Sequence, residues 1–277
     1  MTKLKKINWG VATVLLLLGV LMIGPLLAPQ DPELVDLAVR LQGPSSAHLL
    51  GTDNLGRDIL SRVLTGAQVT VGLSLLALSL AILIGVPLGL VSGWIGGRFD
   101  WVIMRIVDTF IALPDYIVAI VLSGLLGPGF VNMLIAILAV KWVGYTRLVR
   151  SLVLQEKTRD YLMISKLAGG SNSRILRQHM VPHIVGPTLA LATMDIGKVI
   201  LLVASLSFIG MGVQPPSPEW GAMLNDGRAY FAQAPELMVI PGLAIFIVVA
   251  SASWLGDQLM KRFTISPEDE RMTSVLA

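Results

Sequence analysis

The side chains able to do chemistry in this sequence are few and scattered. Asp108, Asp115, Lys141, Asp195 and Lys198 lie within or beside long apolar stretches, and each would cost on the order of 3 kcal/mol at a bilayer centre if it faced lipid. They are therefore expected to face protein or water. Asp195 and Lys198 share one helical face and can partly neutralise each other. Two readings of that pair stand: a lining for a translocation path near a partner interface, with Asp108 beside it, or a buried pair that fixes helix rotation. Lys141 and Asp115 are read as snorkelling to the cytoplasmic interface. His179 and His183 have a helical metal-chelating spacing, but Pro182 lies between them and no metal ligand is assigned. His48 is read as a surface residue, and the 12 methionines as core packing. No G-x-x-x-x-G-K-[ST] loop occurs, so the chain is not expected to hydrolyse ATP. No nucleophile and base pair suggests an enzyme.

The densest polar stretch is DYLMISKLAGGSNSRILRQHMVP, residues 160–182. Asp160 to Ala168 reads as a short amphipathic helix, with Leu162, Ile164 and Leu167 near the 3.6 period and Lys166 opposite. Gly169 and Gly170 break it, because glycine takes the left-handed conformation at no steric cost. Ser171, Asn172 or Ser173 can cap a second helix, with Ile175, Leu176 and Met180 on one side and Arg174 and Arg177 on the other, until Pro182 stops it. The expected product is a helix, elbow, helix knob.

The elements that must position these groups follow from composition. With 54% hydrophobic and 14% charged residues and a mean hydropathy of +0.75, the chain reads as an all-α polytopic membrane protein. The absence of cysteine excludes disulfides and thiolate metal sites, and a net charge of +3 is too small to argue for nucleic acid. Six transmembrane helices are expected, near 11–28, 69–91, 102–126, 130–148, 184–209 and 237–255. Residues 1–66 hold the first span, an external loop and an interfacial amphipathic helix at 58–65. Residues 67–258 form a five-helix core, and 259–277 a polar cytoplasmic tail. Gly85, Gly89 and Gly93 make a small-xxx-small ladder that lets another helix approach closely. Segment 210–236 is too polar to span: Pro215, Pro216 and Pro218 stiffen a re-entrant loop, and Trp220 is read as its anchor at the membrane interface. With a cytoplasmic amino terminus, most Lys and Arg, including Lys3, Arg98, Arg150, Arg174 and Lys261, fall inside, against Arg40, Arg57, Arg62 and Arg228 outside. That asymmetry places both termini and the knob in the cytoplasm.

D-Y-L-x3-K-L-A-G-x-S followed by I-L-x-x-H-x-V-P resembles the cytoplasmic signature of importer-type ABC permeases. Asp160 replaces the usual Glu, Ile164 and Ser165 the paired alanines, and His183 the Asn after the proline. G-T-D-x-x-G-R-D at 51–58 and A-S-L-S-F-I-G-M-G-V-Q-P-P-S-P-E-W-G-A-M-L-N-D-G-R at 204–228 are similar to the second permease of dipeptide, oligopeptide and nickel importers. A solvated loop with helix caps is the plain alternative for 51–58. The resemblance covers about residues 49–257 and implies a type I importer permease fold in a bacterial or archaeal cytoplasmic membrane. It implies that Asp160, Lys166, Gly169, Ser171, Arg174, His179 and Pro182 form a coupling element seated in an ATPase. It also implies that Asp53, Arg57, Asp58, Trp220, Asn225 and Asp226 belong to an external face that meets a solute-binding protein. The implied partners are a second homologous permease, two ATPase subunits carrying ATP and Mg, and that binding protein; this chain itself binds no cofactor. Val203 stands where many peptide-branch members have Glu, and A-T-M-D-I-G at 192–197 and W-G-x-M-x-N-D at 220–226 look more like the nickel branch. The expectation leans to nickel or a chelated metal over peptide. An ion-coupled secondary transporter using Asp108, Asp115, Asp195 and Lys198 is the rival class, but no inverted repeat supports it.

Overall fold

In a computed structural model, the structure describes residues 19, 23–167, 169 and 171–264. The expected first span at 11–28 and the tail beyond 264 lie largely or wholly outside these residues. Among the described residues there is no strand, only an isolated bridge between Thr52 and Asp58. The α-helices are α1 (Ile59–Ile95), α2 (Gly97–Ile111), α3 (Asp115–Leu126), α4 (Phe130–Lys157), α5 (Asp160–Leu167) and α6 (Asn172–Ile175). A π-turn (Leu176–Met180) follows, then α7 (Val181–Phe208), α8 (Trp220–Arg228) and α9 (Glu236–Thr264). Among the described residues, four helical stretches are long and apolar enough to cross a membrane, and a fifth crossing results if α2 and α3 count as one.

Several expectations change. The interfacial helix at 58–65 and the second span are one helix: at 37 residues, α1 is about 55 Å long, well beyond a hydrocarbon layer of ~30 Å. The third span is broken, with 91° between α2 and α3, because Pro114 disfavours helix at the residue before it and Asp115 opens a new first turn. Pro182 does not stop the helix after the elbow. The π-turn absorbs it: the Val181 N–H reaches the Leu176 carbonyl, a widened turn that makes room for the proline ring. The last helix, α9, runs on to Thr264, into the segment expected as a polar tail.

The chain divides into two compact units. The first takes in the chain up to Leu78, Tyr116–Ala139 and Ile196–Ala252. Its core joins Ala67 and Val71 of α1, Ile200 and Ala204 of α7, Trp220 and Met223 of α8, and Ile245 and Val248 of α9. Trp220 is 2% exposed and its indole N–H donates to the Val63 carbonyl at 2.9 Å. It is therefore a core residue and not an anchor at the membrane interface: the polar N–H finds its partner inside. The second unit comprises Ser79–Asp115, Val140–Asp195 and the chain from Ser253. There the glycine ladder makes the expected close approach. A Cβ at Gly85 or Gly89 would stand 2.5 Å from the Trp142 or Thr146 carbonyl oxygen, and one at Gly93 would stand 2.9 Å from the Val153 Cβ.

Candidate functional site

The polar stretch at 160–182 folds as a knob. Gly169 has φ +84°, which a side-chain-bearing residue adopts only with strain. Ser171 is the cap, accepting from the Arg174 N–H at 3.3 Å. Leu162, Ile175 and Met180 are buried against Leu90, Trp94 and Leu176, so the knob sits on the end of α1. Lys157 strengthens that seat by donating to the Gly93 and Trp94 carbonyls at 3.2 and 2.9 Å. A cation on the last carbonyls of a helix is favourable. The expected single apolar face is split. Leu162 points inward, whereas Ile164 and Leu167 are 64% and 83% exposed and stand out from a polar surface with Asp160, Ser171, Arg174 and Pro182. Lys166 lies on α5, its side chain outside the described residues.

Around the knob lies a polar cluster that sequence spacing does not reveal. Glu156 is 4% exposed; its Oε1 accepts from the Tyr161 hydroxyl and its Oε2 lies 3.0 Å from His183 Nε2. The Tyr161 and His179 rings meet at 5.6 Å. Burial and then the bond to Glu156 push the Tyr161 phenol up to about 12. His179 and His183 thus have separate partners and no shared ligand direction.

In the first unit, Asp53, Arg57 and Asp226 come together, joined by Arg62. Asp53 Oδ2 meets Arg57 Nε at 2.6 Å and Arg62 Nε at 3.4 Å, and Arg57 reaches Asp226 at 3.4 Å. Asp53 Oδ1 also accepts from the Leu55 and Arg57 N–H groups, which fixes the turn. Gly56 is required there, since a Cβ would fall 1.7 Å from the Asp36 carbonyl. Asp58 caps α1 through Ser61 and takes His48 at 3.1 Å, so His48 is a partly buried partner and not a lone surface residue. Burial raises the Asp226 carboxyl above its ordinary range, against the opposing pull of Arg57 and Arg62. Asn225 is exposed. The sequence reading also missed Glu219, fully buried, which accepts from Thr70 at 2.8 Å and from the Ala222 N–H at 2.9 Å. Thr70 and Glu219 are too far apart in sequence for any spacing rule to join them.

The intramembrane ionisable groups are partly resolved. Lys141 and Asp115 form an ion pair at 2.8 Å instead of snorkelling separately. Asp195 accepts from the Tyr145 hydroxyl at 3.1 Å; Asp108 and Lys198 are exposed. Asp100, flanking them, is clamped by Arg150 at 2.5 and 2.6 Å.

Helices long and apolar enough to cross a membrane define a multi-pass membrane protein. Residues 85–265 match the family described as binding-protein-dependent transport system inner membrane component. The chain is 40% identical over 256 residues to the nickel transport system permease protein NikC of Escherichia coli K12, covering 91% of this chain and 92% of that protein. It is 36% identical to the dipeptide transport system permease protein DppC of Alkalihalophilus pseudofirmus, covering 93% and 86%. It is 38% identical to the probable D,D-dipeptide transport system permease protein DdpC of Escherichia coli K12, covering 88% and 82%. The chain belongs to this family of ABC importer permeases, and is a transport subunit and not an enzyme.

Proposed function

We propose that this permease forms one half of the pathway of an ATP-driven importer, moving nickel or a chelated nickel-like metal ion as its substrate. The single observation that carries the coupling role is the knob at 160–182: anchored on Trp94 and Leu90, it presents Ile164 and Leu167 outward. A separate ATPase subunit, holding ATP and Mg, would cover them. Closure of two such ATPases would drive the knob and, through the continuous π-turn and α7, tilt the helix that carries Asp195 and Lys198. With Asp108, these residues would line the path shared with a second permease. The face bearing Asn225 and Asp226 would receive the solute-binding protein, with buried Asp53, Arg57, Asp58 and Trp220 holding it in shape from beneath. Six spans, counting 11–28, with both termini cytoplasmic, satisfy the distribution of Lys and Arg.

Nickel is favoured by Asp195 within A-T-M-D-I-G and by Val203 in place of Glu, and the similarity to NikC supports it. Dipeptide import by the same mechanism is the second reading, favoured by the similarity to DppC and DdpC. Gly169→Ala tests coupling. No atom stands within 4 Å of the added Cβ, so the change acts through the backbone, which is held at φ +84°. Loss of ATP-linked uptake with the complex still assembled is the expected result; unchanged uptake would sink the assignment.

A further inference from the structure

We propose that Glu156 is the pin that makes the knob rigid, a positioning residue that fixes both ends of the element through which ATP-driven motion enters the membrane helices. The proposal rests on the reading of residues 160–182 as the ATPase-docking element.

Glu156 lies in the last turn of α4 and is buried, although Gln155, Lys157, Thr158 and Arg159 around it are exposed. A buried carboxylate is costly unless its oxygens find donors, and here both do. Oε1 takes the Tyr161 hydroxyl at the entrance to α5. Oε2 takes His183 in the first turn of α7, after the π-turn. One carboxylate therefore ties the segment before the knob to its entry and to its exit. Tyr161 extends the tie by laying its ring against His179 in the π-turn itself.

The apolar seat on Leu90 and Trp94 holds the knob's floor, but the chain at its two joints does not fix its tilt. Only Thr158 and Arg159 separate α4 from α5, and Gly169 supplies a second swivel between α5 and α6. Without the cross-tie, a push on Ile164 and Leu167 would turn the knob about these two joints. With it, the push passes to α7 as a rigid displacement. Removing the pin should then leave ATP hydrolysis running while less solute moves per ATP, which a simple loss of folded protein cannot produce.

The test uses the whole transporter in liposomes, with uptake of labelled nickel, or of a labelled dipeptide where nickel is not taken up, and ATP hydrolysis measured in the same sample. Glu156→Ala should raise the ATP consumed per solute by at least about fivefold, the low end of ordinary coupling energies, at unchanged complex yield. Tyr161→Phe combined with His183→Ala keeps the carboxylate, alters two partly exposed side chains and should raise the ratio in the same direction. Glu156→Gln, which keeps an acceptor for Tyr161, should lie between Glu156→Ala and the unaltered protein. A normal ratio in the alanine and double variants, or uptake and hydrolysis falling together in proportion to yield, overturns the pin and leaves the docking reading standing. Absence of ATP-linked uptake by the unaltered transporter removes the docking reading and the pin with it.

Discussion

Gly89 offers a sharp perturbation, because its neighbours are two backbone atoms and a Cβ, none of which can rotate away. A Cβ there would stand 2.5 Å from the Thr146 carbonyl oxygen, 2.9 Å from the Val149 Cβ and 3.1 Å from the Arg150 nitrogen. To admit it, α1 and α4 must separate locally along the ladder. Helix propensity works the other way, favouring Ala over Gly by about 1 kcal/mol in a helix interior, while overpacking typically costs about 1–3 kcal/mol and more where backbone must move. The clash wins, and Gly89→Ala should destabilise by about 2 kcal/mol net. Gly72→Ala and Gly144→Ala supply the control, since no atom lies within 4 Å of the added Cβ at either position. Both should be neutral or stabilising. The assay is the thermal transition in one detergent, followed by helix circular dichroism. A Gly89→Ala midpoint no lower than those of the two controls would refute the argument from close approach.

Two further outcomes follow from the ion network of the first unit. Arg57→Ala leaves Asp53, itself 6% exposed, with its backbone N–H donors and the longer contact to Arg62, and should destabilise by about 1–3 kcal/mol for the lost charge-assisted bond, read from the same transition. Asp226 is held above its ordinary carboxylate range by burial, so its contribution is fully present below the unfolded value and is lost as pH rises through the folded one. Asp226→Asn should therefore remove a decline in stability over that window and leave the protein no less stable at neutral pH; a steep loss at neutral pH would show that the pairing with Arg57 outweighs burial.

Membrane character was legible because a bilayer demands long apolar runs, and the elbow was legible because Gly169 and Ser171 act through local backbone rules. The ladder at Gly85, Gly89 and Gly93 likewise declared itself by spacing. What escaped the sequence depends on partners brought together from afar. Trp220 looked like an interfacial anchor until Val63 supplied its acceptor. Glu156 carries no motif, and its importance comes from meeting Tyr161 and His183 at once. Pro182 misled for another reason: the rule that proline ends a helix assumes an α-helical hydrogen-bond register, and a π-turn changes that register. Pro114 was the opposite error, a signal present in the sequence but overridden by the apolar run around it.

The importer reading and its substrate meet in one measurement: uptake of labelled nickel and of a labelled dipeptide by cells carrying the complete transport system, with and without this chain. Nickel uptake that requires the chain and that excess dipeptide does not compete is the expected result. Chain-dependent dipeptide uptake with no nickel transport would contradict the substrate assignment, and no chain-dependent uptake of either would contradict the importer assignment in that system.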